Sequence, residues 1–398
     1  MPRFIAYVVV REDLWGPVVR SQVLEVLERL GSPLRQRIIL IWFVRMDMLL
    51  RRGGEIRSIR ESLLGKGLHL VTLPFVAWRF PVTWFLLPLV LPQWLLGLLW
   101  LCLRYDCRIF HCRSYHAGLA ATVLKKVLRI KVIFDPRSPF PEENLAAGRW
   151  GRGRISLNFL FWKKIEKWIA RHCDRIIATS RPFAEFFESY TSAEKISVIP
   201  NNYVGLPPGG GAYPPNGQVT ICYAGSFGHW NNPGTYLRFM SLVAEKDSLL
   251  RFKFIISPGT RDFFEHEITA FPLLNDRVEV CSVAQEEVLL ELSEGTAGVQ
   301  IMEQPDARLG IKVVEYLAAG LPVIVSSNVR GAADAISAHG VGLVLDDRYR
   351  NVDEVIAFTR QVAADREHWR QRCQKVARGQ FSSEAVAGKL SQLYQALA

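Results

Sequence analysis

Short runs of Val, Ile, Leu and Phe recur along the whole chain, set apart by stretches whose apolar residues repeat at helical spacing. In the first half the runs are RFIAYVVV, RIILIWFV, LHLVTLP, CRIFHCR, KVIFDPR, DRIIATS and KISVIP, with helical patterns over 18–30, 55–65, 117–128 and 155–171. Strands so uniformly apolar are buried on both faces, and the intervening helices supply the crossovers. The pattern therefore predicts a parallel, doubly wound α/β sheet. The alternation restarts at QVTICYAG and continues through RFKFIIS, RVEVCS, GVQIM, PVIVSS and GLVLDD. Between the halves lies VGLPPGGGAYPPNG (204–217), rich in Pro and Gly and poor in side chains that could pack, which reads as a linker. A chain of 398 residues also exceeds what one ordinary core organises. The expected organisation is a first domain over 1–203, the linker 204–217, a second domain over 218–380, and a closing helix over 381–398. Open α/β sheets bind ligands beyond the carboxyl ends of their strands, and two such domains can turn those ends toward a shared cleft.

Charge divides along the same boundary. Residues 1–203 carry 31 Lys and Arg against 16 Asp and Glu, a net of +15, whereas 204–398 carry 18 against 22, a net of −4. The first domain is expected to face something anionic: nucleic acid, a phospholipid surface or a phosphorylated substrate. Seven cysteines, an odd number spread through the chain, do not form a disulfide framework and fit a reducing compartment. Cys107, His111, Cys112 and His116 cluster in sequence, but their spacing matches no common zinc pattern. The opening run FIAYVVV is followed at once by Arg11, Glu12 and Asp13, which suits a buried first strand better than a secretory signal.

Residues 82–103, VTWFLLPLVLPQWLLGLLWLCL, are 22 consecutive uncharged residues. Length and apolarity nominate a membrane span, while Pro88, Pro92, Gln93 and Gly97 interrupt it. A helix starting near Pro92 has about 12 residues, too few to span. Trp84, Trp94 and Trp100, flanked by Arg79 and Arg104, suit a helix lying at the headgroup layer of one leaflet. An ordinary buried helix is the alternative. The basic run RRGGEIRSIR (51–60) reads as a solvated helix face that could also rest on anionic lipid.

The block GVQIMEQPDARLGIKVVEYLAAGLPVIVSS (298–327) reads as strand, polar loop, helix, Gly-Pro turn and strand. A helix opening near Gly310 presents free N–H groups that favour an anion, and Lys312 adds a full charge beside them. Glu315, one turn on, can accept hydrogen bonds from a ribose diol. A nucleoside diphosphate suits this trio, and an exposed Lys–Glu pair at helical spacing is the plainer reading.

The string GIKVVEYLAAGLPVIVS resembles the nucleotide-sugar signature of the retaining glycosyltransferases of family 4. YAGSFGHWNN (223–232) is similar to the glycine loop that opens their second domain. KISVIPNNYV, GVGLVLDD and the closing FSSEAVAGKLSQLYQAL also match in order and spacing. HCRSYHAG (111–118) and FDPRSPFPEEN (134–144) resemble a bacterial subset that builds cell-surface polysaccharides, including lipopolysaccharide. The resemblance implies the GT-B fold: two Rossmann-like domains facing each other across a cleft, with the C-terminal helix packing back on the N-terminal domain. It implies transfer of a sugar, with retention of configuration, from a UDP- or GDP-sugar to a hydroxyl of a lipid-linked glycan. The donor would be held by Gly225, Ser226, Gly228, Arg308, Gly310, Ile311, Lys312 and Glu315, with neither metal nor cofactor. No Asp-x-Asp metal motif stands out in the sequence.

Several positions depart from the family pattern. Its first donor glutamate falls on Ala307, with Asp306 and Glu303 nearby, and the basic pair after the glycine loop is missing from GSFGHWNNPG. The histidine expected after the fourth strand falls near Arg113, so either Arg113 or His116 takes up that role. Arg137 and Glu142 are candidates for holding the acceptor, and an internal salt bridge that shapes their loop is the alternative. Gly16 would let backbone approach the acceptor, or simply form a turn. The expected catalytic set is Arg113, His116, Arg137 and Lys312. A peripheral enzyme on the inner face of the plasma membrane follows, with the donor, the lipid-linked acceptor and an anionic membrane as partners and no nucleic acid. A GT-B nucleotide-sugar epimerase and a non-catalytic GT-B subunit are the alternatives.

Overall fold

The computed structural model describes residues 4–14, 16–76, 83–150, 156–205, 218–228, 231–346, 348–349 and 351–397. Trp15, Arg79, His229, Trp230 and nearly all of the 204–217 linker lie outside them. The apolar runs form two parallel sheets. The first holds β1 (Phe4–Val10), β2 (Ile38–Arg45), β3 (His69–Phe75), β4 (Cys107–Arg113), β5 (Lys131–Asp135), β6 (Arg175–Ala178) and β7 (Ile196–Val198), in the order β3-β2-β1-β4-β5-β6-β7. The second holds β8 (Thr220–Gly225), β9 (Arg251–Ile256), β10 (Val278–Cys281), β11 (Ala297–Gln300), β12 (Val323–Ser326) and β13 (Gly342–Leu345), in the order β10-β9-β8-β11-β12-β13. This is the doubly wound α/β class expected from the alternation.

Each sheet reverses its strand order at one place, between β1 and β4 in the first and between β8 and β11 in the second. Helices diverge to opposite faces there, so the loops beyond the carboxyl ends open a crevice. In the second sheet those loops are the one after Gly225 and the one leading to the helix Ile311–Ala319. Both faces of that sheet are packed. Tyr316, Val313, Leu317 and Ile336 lie in the cluster on one side, and Tyr236, Met240, Phe254 and Phe264 in the cluster on the other.

The chain forms two compact units that do not follow a single cut. One comprises 1–179, 183–199 and 387–398, and the other 180–182 and 200–386. The helix Ser383–Gln395 thus returns to the first unit, where the Tyr394 hydroxyl lies 2.7 Å from His111 Nδ1.

The uncharged segment forms one helix, Leu87–Tyr105, of 19 residues, which corrects the expected start near Pro92. Pro88 sits in its first turn, where no N–H is needed, and Pro92 lies inside on the exposed side. Its polar interruptions are structural. The Gln93 amide accepts from the Val76 N–H (2.8 Å) and donates to the Val76 carbonyl (3.1 Å), pinning the end of β3. A Cβ on Gly97 would lie 2.9 Å from the Phe43 ring, so glycine sets how close helix and sheet approach.

Candidate active site

In the second unit the groups expected to hold the donor converge at the β8/β11 crevice. Gly225 ends β8 with φ +132°, and a Cβ there would lie 2.2 Å from Lys312 Cε. Only glycine satisfies both the dihedral and the space, because the lysine stem runs across its α-carbon. Lys312 Nζ donates to the Tyr223 hydroxyl at 2.6 Å and sits 4.3 Å from the centre of that ring. Tyr223 in turn donates to the Ser226 carbonyl at 2.9 Å and stacks on Phe227. Gly228 turns the loop, its N–H bonding the Asn231 carbonyl at 3.0 Å.

The helix Ile311–Ala319 opens at Gly310, whose side has no atom within 4 Å of an added Cβ and no side-chain cap. Its first N–H groups therefore lack the side-chain acceptor that usually satisfies a helix start. Asn201 fixes this start by donating to the Leu309 carbonyl at 2.7 Å. Ile311 packs against the core, which turns Lys312 and Glu315 away from it. Burial pulls the Lys312 ammonium down to about 7, with Glu315 opposing. Burial likewise pushes the Glu315 carboxyl up to about 7, against the Gln285 amide that donates to it at 3.0 Å and against Lys312. A cation and a carboxylate both poised near neutrality gain most when an anion and a hydroxyl donor arrive. Arg308 is engaged elsewhere: its Nε and Nη2 bond Asp306 at 2.8 and 2.7 Å. Glu303 accepts from Thr235 at 2.7 Å and pairs with Arg238.

In the first unit the candidates are spread over the carboxyl ends of β1, β4 and β5. Arg113 is buried, with Nε on Glu12 (2.7 Å) and Nη2 on Gln22 (2.8 Å). Burial works against its charge, but Glu12 prevails and the guanidinium stays protonated. His116 does not share that space. It packs among Trp94, Phe140 and Trp162, at ring separations of 5.2–5.4 Å. Burial, with Arg11 nearby, lowers it to about 3, so it is neutral at physiological pH. Arg137 holds Asp135 at 2.8 Å from a left-handed backbone (φ +57°), a conformation uncommon for a side chain with a Cβ. Glu142 pairs with Lys163 at 2.8 Å, and Glu143 accepts from Ser138 at 2.7 Å. Of the internal salt bridges offered as the alternative for this loop, the Asp135–Arg137 pair is formed, whereas Glu142 is taken by Lys163 of the helix Leu157–His172. Gly16 bonds the Asp13 carbonyl at 3.0 Å, and a Cβ on it would lie 3.0 Å from that same oxygen.

Sequence reading missed the partners. Tyr223, Gln285 and Asn201 contact the donor-side groups from 89, 30 and 108 residues away, so no local spacing signalled them. It also missed the buried trio of His111, Asp135 and Tyr394. His111 Nε2 lies 3.1 Å from Asp135, and Asp135 stays ionised despite burial, held down to about 2 by Arg137, His111 and Arg113. The four clustered Cys and His residues therefore part company, His111 to this trio, His116 to its rings, the Cys112 thiol to the Phe110 carbonyl and Cys107 to the buried core as a free thiol. All seven cysteines are free, and Cys281 alone is not buried.

Two family models match the chain: Glycosyltransferase Family 4 over residues 48–202 and Glycosyl transferases group 1 over 213–380. No curated protein sequence matches it. Among solved structures it is similar to sucrose-phosphate synthase from Thermosynechococcus elongatus, with 16% identity, 100% of this chain and 99% of that one covered, and a TM-score of 0.71. It is similar to the lipopolysaccharide outer core galactosyltransferase WaaB, with 13% identity, 99% of each chain and a TM-score of 0.68. Anabaena HepE in complex with UDP gives 14% identity, 99% of this chain and 100% of that one, and a TM-score of 0.67.

Proposed function

The chain belongs to the family 4 glycosyltransferases of GT-B fold, and from that premise we propose that it moves a sugar from a nucleoside-diphosphate sugar to a hydroxyl of a lipid-linked glycan. The observation that carries the donor reading is the uncapped helix start at Gly310 with Lys312 laid across Gly225. A structural relative solved with UDP supports the same donor class. In this reading the diphosphate lies against the free N–H groups of the helix start, and Lys312 turns its ammonium to it. Glu315 accepts the ribose hydroxyls in place of the Gln285 amide. The bond from the anomeric carbon to the diphosphate oxygen breaks, and negative charge grows on that oxygen as it leaves. Fixed N–H dipoles and the lysine charge stabilise the departing group more than the bound donor, which is what accelerates the step. The acceptor oxygen bonds the same face of the anomeric carbon and its proton passes to the leaving phosphate, so configuration is retained. The reaction runs without a metal, at the cytoplasmic face of the plasma membrane, in surface-polysaccharide or lipopolysaccharide synthesis.

Binding of UDP and GDP, read by thermal shift and then calorimetry, tests the site. One of them should raise the melting temperature, and Lys312→Ala should weaken it about tenfold or more, as loss of a charge-assisted bond does. Glu315→Ala should weaken it too. Unchanged affinity in both variants would remove these residues from the donor site. The anomer formed, followed by proton NMR on a synthetic acceptor, tests retention.

A further inference from the structure

The Leu87–Tyr105 helix is apolar on both sides. Val90, Trp94, Leu98 and Leu101 are buried against the sheet, while Leu89, Leu96, Trp100 and Leu103 face outward at 42–79% exposure. Trp84 and Phe85 just before it are exposed as well, and no charged side chain occurs from 83 to 103. A helix apolar all round is normally covered all round. The patch runs on into the neighbouring helix Leu157–His172: Asn158 accepts from the Trp84 N–H at 3.1 Å, and Leu157 and Leu160 are 65% and 47% exposed. Beyond Leu160 the same exposed stripe becomes Lys164, Lys167 and Arg171, at steps of four, three and four residues, with no acidic side chain in it. Arg104 closes the far end of the first helix.

We infer that the outward faces of these two helices dock on an anionic phospholipid bilayer, the leucines and tryptophans entering the acyl boundary and the lysines and arginines meeting the phosphates. Charge decides the occupant. The stripe Lys164, Lys167 and Arg171, with no acidic side chain in it, complements anionic headgroups, whereas a second copy would bring the same cations against it; the half-exposed Asp106 at the far end is already paired with Arg108. Indole rings at the edge of an apolar stripe sit where the headgroups begin. The helix lies flat on one leaflet, since its inner face is committed to β3 and the Phe43 side of the sheet. The inference deepens the reading of a lipid-linked acceptor by naming the face that brings the enzyme to it.

Vesicle flotation of the full chain tests it, with phosphatidylcholine alone or mixed with phosphatidylglycerol. The expected result is binding to the anionic vesicles, reduced about tenfold or more in the double variant Leu96→Glu/Leu103→Glu. Lys164→Glu/Lys167→Glu should lower the binding toward the phosphatidylcholine level. Tryptophan fluorescence should be quenched by brominated lipid, and less so in Trp100→Phe. Melting temperature and UDP binding of each variant report whether it folds. If the glutamate variants do not fold, brominated-lipid quenching of the parent chain decides, and its absence overturns the inference. Equal flotation of parent and Leu96→Glu/Leu103→Glu overturns it. So does a dimer in sedimentation that the same variant dissociates without any vesicle binding. Lost UDP binding with intact flotation would instead count against the donor site alone.

Discussion

Lys312 and Glu315 sit three residues apart, and each is drawn by burial to about 7 from opposite directions. Their working forms are the ammonium and the carboxylate. Above pH 7 the lysine loses its proton, and below it the glutamate gains one, so affinity for a nucleoside diphosphate should peak near neutrality and fall on both sides. Glu315→Gln should flatten the acid limb and Lys312→Arg the alkaline limb, measured by calorimetry across pH. A flat profile in the parent chain would show that neither group contacts the nucleotide. Gly225 carries a second consequence. Gly225→Ala would force φ +132° on an alanine and drive its Cβ into the lysine stem, costing about 1–3 kcal/mol of stability and weakening diphosphate binding together. Urea unfolding and titration of one preparation read both effects. The motif residues themselves were legible from spacing. Their partners were not, since Tyr223 and Gln285 reach Lys312 and Glu315 only once the sheet has formed.

Elements were read from sequence where one rule governs them, and misread where two compete. Among the described residues the thirteen strands fall on the apolar runs, since inner strands such as β1, β2, β11 and β12 are buried on both faces and can contain little else, although the edge strands β3, β7, β10 and β13 are partly exposed. The Leu87–Tyr105 helix begins earlier than its prolines indicated, because one proline occupies the first turn and packing of Trp94, Leu98 and Leu101 outweighs the other. That the helix Ser383–Gln395 returns to the first unit was implied by the family resemblance, but no local spacing signalled the contact that holds it. Its Tyr394 supplies a hydrogen bond to a fully buried histidine whose other nitrogen faces Asp135. Tyr394→Phe should therefore destabilise the first unit by about 1–3 kcal/mol, the cost of leaving a buried polar atom unpaired. Urea denaturation checks it, and a change of a few tenths would mean that the ring alone anchors the helix.

At the scale of the whole molecule, the chain leaves the first unit after 199 and re-enters it at 387. The two units are therefore not successive segments, although the linker composition pointed to one cut near 204. Ending the chain at residue 386 should lower the melting temperature of the first unit and leave UDP binding by the second intact. Loss of both, measured on the same truncated protein, would show that the closing helix serves more than the first unit. On the docking proposal the first-half charge of +15 has a use on the same scale. Arg113 and Arg137 are held by Glu12 and Asp135, whereas Lys164, Lys167 and Arg171 are exposed and, on that proposal, meet an anionic surface.

By itself the sequence determined the two parallel sheets, the helix start at Gly310 with Lys312 and Glu315 on which the donor proposal rests, and the lopsided charge. Each depends on composition or on spacing within a few residues, where backbone geometry leaves few alternatives. Only the tertiary structure decided that Arg137 pairs with Asp135 and Glu142 with Lys163 of a separate helix, that His116 is a neutral core group, and that one side of the uncharged helix stays open. Those outcomes turn on which groups distant in sequence come within hydrogen-bond or van der Waals reach, and burial then fixes their charge.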